Sequence, residues 1–261
     1  MAKKSGWAVF PYTDKAYQYS AVSIKKAWER LHRGDCEPLP KDAAALDAWI
    51  AFHAGDFGGA IEAGLAAGGA GLTAANKAAC IYANYLEEDD KNKLKLYDEV
   101  AGRCEAQQKT DAKNINAHYL HAYALGRYAQ GISIVKALKD GIGDKVKSSL
   151  TTAIKLAPKH ADAHIGLGTY HAEIIDKVGA MIGGLTYGAK KETGLAMFEA
   201  ALKLNPDSAI ARIEMANGLI MMFGKSRMKE AEKLYADAAK CKAVDAMERL
   251  DVETAKAELE D

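Results

Sequence analysis

The chain has 261 residues, with 35 Lys and Arg against 35 Asp and Glu, so its formal net charge is zero. A neutral chain lacks the positive field with which a general nucleic-acid binder displaces counterions. Four cysteines, at positions 36, 80, 104 and 241 with no C-x-x-C pair, argue against a disulfide scaffold or structural zinc site, and 50 alanines against 5 prolines predict helix throughout.

At the start, Lys3 and Lys4 are followed only by Trp7–Phe10 before Pro11. A signal peptide needs roughly 7–15 apolar residues there, and a spanning helix roughly 18 in a row. Neither pattern occurs, so the expectation is a cytoplasmic chain with no membrane span. A helix is predicted over Asp14–Arg33. The aromatic arm around it (Trp7, Phe10, Tyr12, Tyr17 and Tyr19) is expected to dock as a cap or to mediate self-association.

From residue 41 the pattern becomes repetitive. AGDFGGAIEAGLAAG holds a Gly-Asp-aromatic turn followed by Ala60, and CIYANYLEEDDKNKLKLYDEVAGR supplies Tyr85, Leu94, Tyr97 and Ala101. NAHYLHAYALGRY reads as a first helix with His118 at repeat position 4, and KVKSSLTTAIKLAP as its partner, with Leu150, Ala153 and Pro158 on the expected spacing. ADAHIGLGTYHAEI then puts His164 at position 4 with Leu167 and Gly168 at positions 7 and 8. KETGLAMFEAALKLNP supplies Gly194, Phe198, Ala201 and Pro206. Pro158 and Pro206 are 206 − 158 = 48 residues apart, against about 34 for a tetratricopeptide unit, which places an excess of about 14 residues over Ile174–Lys190. Arg212, Met215, Ala231, Tyr235 and Ala238 mark a further pair, and Met247–Leu259, carrying Glu248, Arg249, Asp251, Glu253, Glu258 and Glu260, reads as a polar capping helix.

The predicted fold is therefore all-α: a tetratricopeptide-like α-solenoid of about five helical pairs with flanking helices. The expected organisation is an N-terminal arm and helix over 1–40, repeats over 41–240 and a capping helix over 241–261, in one continuous domain. Each pair buries its apolar face only against its neighbours, so several must stack.

AHYLHAYALGRYAQGISIVKAL, TTAIKLAPKHADAHIGLGTYHAEI and TYGAKKETGLAMFEAALKLNP together resemble the divergent tetratricopeptide core of the regulator-of-microtubule-dynamics proteins. They also resemble the bacterial tetratricopeptide component associated with TRAP-type periplasmic transporters. The resemblance covers roughly residues 75–240 and lies in the two long inter-helix insertions and the Leu-x-Pro ends. It implies a helical-repeat scaffold without catalysis, used for protein or ligand contact. The exported, lipid-bearing leader of the transporter component has no counterpart ahead of Cys36, and neither has the membrane anchor of some microtubule-regulator members.

In such repeats the first helix of each pair lines the concave face. Carried onto this chain, the lining positions are Asn116, Tyr119, Tyr123 and Arg127 in one pair, Asp162, Thr169 and Glu173 in the next, and Glu214 and Asn217 in the last. That mixed polar surface is expected to grip a protein or peptide. The runner-up is a small-molecule or lipid-like ligand enclosed by the apolar insertions Ile174–Gly188 and Ile132–Lys147. No cofactor and no catalytic residue are expected.

Three weaker patterns complete the reading. His118, His121, Asp162, His164 and His171 have helical metal-ligand spacings, but His118, His164 and His171 occupy packing positions of the repeat, so no metal is expected. Gly64–Gly71 and Gly183–Lys191 lack the Gly-Lys-Ser/Thr of a Walker loop. Residues 1–35 carry seven basic and three acidic residues, and residues 226–261 carry seven and ten. That polarity suits head-to-tail contact between copies in a homo-oligomer.

Overall fold

The computed structural model describes residues 6–260, so Lys3 and Lys4 lie outside the described residues. A helix opens readily where a side-chain acceptor satisfies one of its first free backbone N–H groups. Asp42, Asn114, His160 and Ser208 cap the opening helices of four pairs in this way, each accepting from the amide three residues on.

Five pairs result. They are α2 (Ala43–Ala54) with α3 (Phe57–Ala67), and α4 (Gly71–Tyr85) with α5 (Asp90–Thr110). Next come α6 (Ile115–Ile132) with α8 (Ile142–Leu156), α9 (Ala161–Val178) with α11 (Lys191–Leu204), and α12 (Ala209–Phe223) with α13 (Met228–Ala238). Among the described residues there is no strand. The main apolar core draws on residues from Phe10 to Leu250, and a smaller cluster of Ala209, Ile213, Ala238, Val252 and Ala255 closes the C-terminal end, as expected when each pair is covered by the next.

Small residues set the helix spacing at the best-formed repeat. Phe198 of α11 is fully buried, and its ring lies between Gly168 of α9 and Gly218 of α12. A methyl group at either glycine would overlap that ring; at Gly168 it would stand 2.8 Å from Cε1.

The excess residues fold as the pattern foresaw, between the paired helices. α7 (Ile134–Lys139) follows α6 through Ser133, whose φ of +114° turns the chain sharply. Its Ala137 is buried against the concave side. The longer insertion makes α10 (Ala180–Ile182) and a wide turn over Gly183–Tyr187, which leaves Met181, Ile182 and Leu185 exposed.

Both termini depart from expectation. The predicted helix over 14–33 becomes a 3-10 turn at Lys15–Tyr17 and α1 (Ser23–Leu31), opened by reciprocal Ser20–Ser23 hydrogen bonds. Tyr17 is buried and the Tyr19 hydroxyl donates to the Val244 carbonyl (2.8 Å). Two tyrosines two residues apart cannot share one helical face, so the chain unwinds between them. The last helix, α14 (Ala246–Ala257), is less polar in place than its composition suggested, because Leu250, Val252 and Ala255 are buried. It packs on α12 and α13 and also reaches α2. Arg30 of α1 makes a bidentate pair with Glu248 (2.6 and 3.1 Å). The first and last elements of the solenoid therefore meet.

Candidate functional site

On α9, Asp162, Thr169 and Glu173 fall seven and four residues apart and share one helical face. On α6, Tyr119, Tyr123 and Arg127 do the same at intervals of four. These two faces line a cavity of about 170 Å³ on the concave side, together with residues of α4, α7, α8, α12 and α14. Seven of the nine groove residues expected from the repeat (Tyr119, Tyr123, Arg127, Asp162, Thr169, Glu173 and Glu214) line this one cavity. Asn217 lines a smaller recess beside it and accepts from the Tyr235 hydroxyl (2.6 Å). Asn116 lines neither. It is buried, donating to Glu37 (2.5 Å) and sitting 3.0 Å from His160 Nε2.

Asn116 is buried because the chain's own N-terminal segment occupies that end of the groove. After α1, residues 33–37 run along the concave face. Gly34 accepts from the Asp162 amide (3.0 Å), Asp35 accepts from Lys77 of α4 (2.5 Å), and Trp28 donates to the Glu37 carbonyl (2.8 Å). Asp162 lies so close to Gly34 that a side chain there would collide with its carboxylate.

The rest of the wall is polar and held in place. Arg127 donates to Glu214 (3.0 Å) and lies over the Tyr123 ring (5.4 Å to the centroid). Thr169 donates to the other Glu214 oxygen (3.0 Å), Gln130 donates to Glu173, and Tyr85 donates to Asp251 (2.5 Å). Burial pushes Asp162 up to about 6 and Glu173 up to about 7, and holds Asp251 well above the usual carboxylate range. Burial opposes ionisation of Asp35 too, yet the Lys77 ammonium and His32 hold it well below that range. Burial also raises the Tyr123 phenol to about 12 and the Cys80 thiol well above its ordinary value.

Behind Asp35 lies a buried chain of polar groups that the sequence pattern did not single out. Asp245, the N-cap of α14, contacts His53 Nδ1 (2.7 Å), and His53 Nε2 faces His32 Nε2 (3.3 Å). His32 Nδ1 contacts Asp35 (2.9 Å). Each carboxylate thus has a ring nitrogen beside it, and Lys77 adds a cation at Asp35, so the buried acids are partnered, the condition for burying such a set. Lys77 was legible in principle as the one charge inside the apolar run Ala74–Ala83, and Asp251 as an acid on the apolar face of α14. Their partners were not, since they lie 42 and 166 residues away.

The histidines with metal-like spacings are not brought together. His118 contacts the Ala112 carbonyl (3.0 Å), His164 the Pro158 carbonyl (3.1 Å) and His121 the Ser149 hydroxyl (2.8 Å), while His171 accepts from the Lys190 amide (3.2 Å). Among the described residues no three His, Cys, Asp or Glu are placed to hold a metal ion. Among the same residues no helix is long and apolar enough to cross a membrane.

No protein-family model matches the sequence, and no curated protein matches it. Solved structures do. A thermophilic tetratricopeptide protein of Thermus thermophilus is similar over 82% of this chain and 97% of its own, at 16% identity and a TM-score of 0.57. A monomeric mutant of IFIT1 with Gppp-AAAA is similar over 89% of this chain and 57% of its own, at 15% identity, but its TM-score of 0.44 carries no argument. With the five stacked pairs, the first likeness establishes the fold: the chain is a divergent tetratricopeptide-like α-solenoid.

Proposed function

We propose that this protein is a non-catalytic binding scaffold that holds a compact ligand on the concave face of its solenoid. The observation that carries this reading is convergence: groove positions from three successive pairs meet in one cavity. Its width is already reduced by residues 33–37, which lie where an extended peptide would run. An apolar rim with a few fixed polar groups is the usual composition of a small-molecule site, and here α7 and the start of α8 supply the rim through Ile134, Leu138, Ile142 and Val146. The buried phenols and thiol described above are held in their neutral forms, which suits packing and hydrogen bonding better than nucleophilic attack.

A protein partner is favoured by a separate feature, the exposed Met181, Ile182 and Leu185 of the second insertion. Large apolar side chains exposed together are a common mark of protein contact.

Native mass spectrometry of the purified protein, followed by denaturing spectra, tests the first reading beside a Thr169→Trp variant that fills the cavity. A retained organic mass lost in that variant supports it. Equal retention by both proteins removes the cavity as the site. The second reading is tested by pull-down with M181S/L185S, in which a captured protein should be lost while cavity binding persists.

A further inference from the structure

The cavity wall is acidic in a way its ion pairs do not balance. Six of its residues are carboxylic acids, and three of these have a cation: Asp35 is bonded to Lys77, Glu214 to Arg127, and Glu248 to Arg30. The other three, Asp162, Glu173 and Asp251, have no cation within ion-pair distance among the described residues. The only cations among the described residues of the wall, Lys77 and Arg127, are already engaged. A second observation points the same way. Asn205, 7% exposed, also lines the cavity, and its side-chain oxygen is buried with no donor in reach. Carboxyls without a cation, beside an unpaired amide oxygen, call for a ligand that brings donors and positive charge.

The shape narrows the class. Asp162 and Glu173 stand on the same face of α9, eleven residues apart, which at the helical rise is about 16 Å. Leaving about 3 Å at each end for a charge-assisted hydrogen bond gives about 10 Å between two nitrogens. A nine-bond chain, the length of three extended residues, spans about 10–11 Å. The same wall carries Tyr119, Tyr123 and Ile165, surfaces suited to methylene groups and to cation–π contact.

We propose that the concave cavity binds a linear aliphatic polyamine, with one terminal ammonium at Asp162 and the other at Glu173. This rests on the concave cavity being the ligand site and names its ligand class. Arg127 does not repel the chain, because Glu214 neutralises it and Tyr123 stacks beneath it.

The test is isothermal titration of the full-length protein with spermidine, putrescine, butylamine and adipate at pH 8. Spermidine should bind at one site, putrescine and butylamine at least tenfold more weakly, and adipate not at all. Asp162→Asn and Glu173→Gln should each weaken spermidine at least tenfold without lowering the melting temperature, since each removes an acid that has no cation beside it. A surface control, E258Q/E260Q on the exposed end of the chain, should change nothing. Loss of affinity in the control but not in the cavity variants would locate the polyamine on the surface and overturn the proposal, as would no spermidine heat or preference for adipate. Retention of a different organic mass, lost in Thr169→Trp, would refute the polyamine while leaving the cavity as the site. No dependence on Thr169→Trp for any ligand would refute both.

Discussion

The ring of Phe198 between Gly168 and Gly218 gives a prediction whose sign reverses with context. In isolation, Gly→Ala inside a helix stabilises by roughly 0.5–1 kcal/mol through lost unfolded-state entropy. At Gly218 the added methyl would overlap the Phe198 ring, which is fully buried and also pressed against Gly168, so the ring has no free side to retreat to. Overpacking of that kind costs about 1–3 kcal/mol, and Gly218→Ala should therefore destabilise by about 1–2 kcal/mol overall. Phe198→Ala should cost about 3–5 kcal/mol as a buried aromatic truncation. In the Phe198→Ala background the obstacle is gone, and Gly218→Ala should then stabilise by about 0.5–1 kcal/mol. The two substitutions are thus coupled by about 1.5–3 kcal/mol, well beyond the scatter of independent sites. Urea unfolding of all four proteins, followed by circular dichroism at matched slopes, measures the cycle. Additive midpoints would refute the reasoning, and so would a stabilising Gly218→Ala in the wild-type background.

Other outcomes follow from the buried charges and the turns. His160 accepts from the Ala163 amide and His171 from the Lys190 amide, so both must be neutral in the fold, and burial lowers each to about 4. A depressed pKa gives stability that is complete above about 6.5 and lost as pH falls towards 4, on the order of 2–3 kcal/mol for each ring. Burial raises Glu37 to about 8, Glu173 to about 7 and Asp162 to about 6, so stability from their neutral forms is lost as pH rises through that range. A scan of melting temperature against pH should peak near pH 6, and a plateau from pH 5 to 9 would contradict it. Polyamine affinity should rise from pH 6 to 8 as Glu173 and Asp162 ionise, judged against their charged neighbours: Glu214, Arg127 and Lys177 for the first, Lys77 and Asp35 for the second. A flat calorimetric profile would sink that reading. Asp35→Ala leaves Lys77 buried without its carboxylate and should destabilise by about 3–5 kcal/mol in urea melts, whereas a loss below 1 kcal/mol would mean the pair is solvated. Gly55→Ala places a side chain at φ +88° against the Phe10 ring and should release the N-terminal arm, seen as faster hydrogen exchange around residues 8–12; unchanged protection there would show that the arm is held elsewhere.

The repeats were readable because their signals are local. The small residues at Gly168 and Ala201 and the spacing from Pro158 to Pro206 were visible in the linear order, whereas the equally local caps at Asp42, Asn114, His160 and Ser208 emerged only with the structure. The face shared by Asp162, Thr169 and Glu173 was reached through the lining positions of the repeat it resembles, which helical periodicity keeps on one side. The placement of residues 33–37 in the groove was not, since it depends on Asp35 meeting Lys77 and Glu37 meeting Asn116 across 42 and 79 residues. The split of the first helix was hidden likewise, because it answers to Val244, 225 residues from Tyr19. Burial and charge balance are sums over everything that surrounds a group. The amino-acid sequence by itself therefore determined the stack of helical pairs and the face each presents, while only the tertiary structure decided which carboxyls kept a cation and which were left facing the cavity without one.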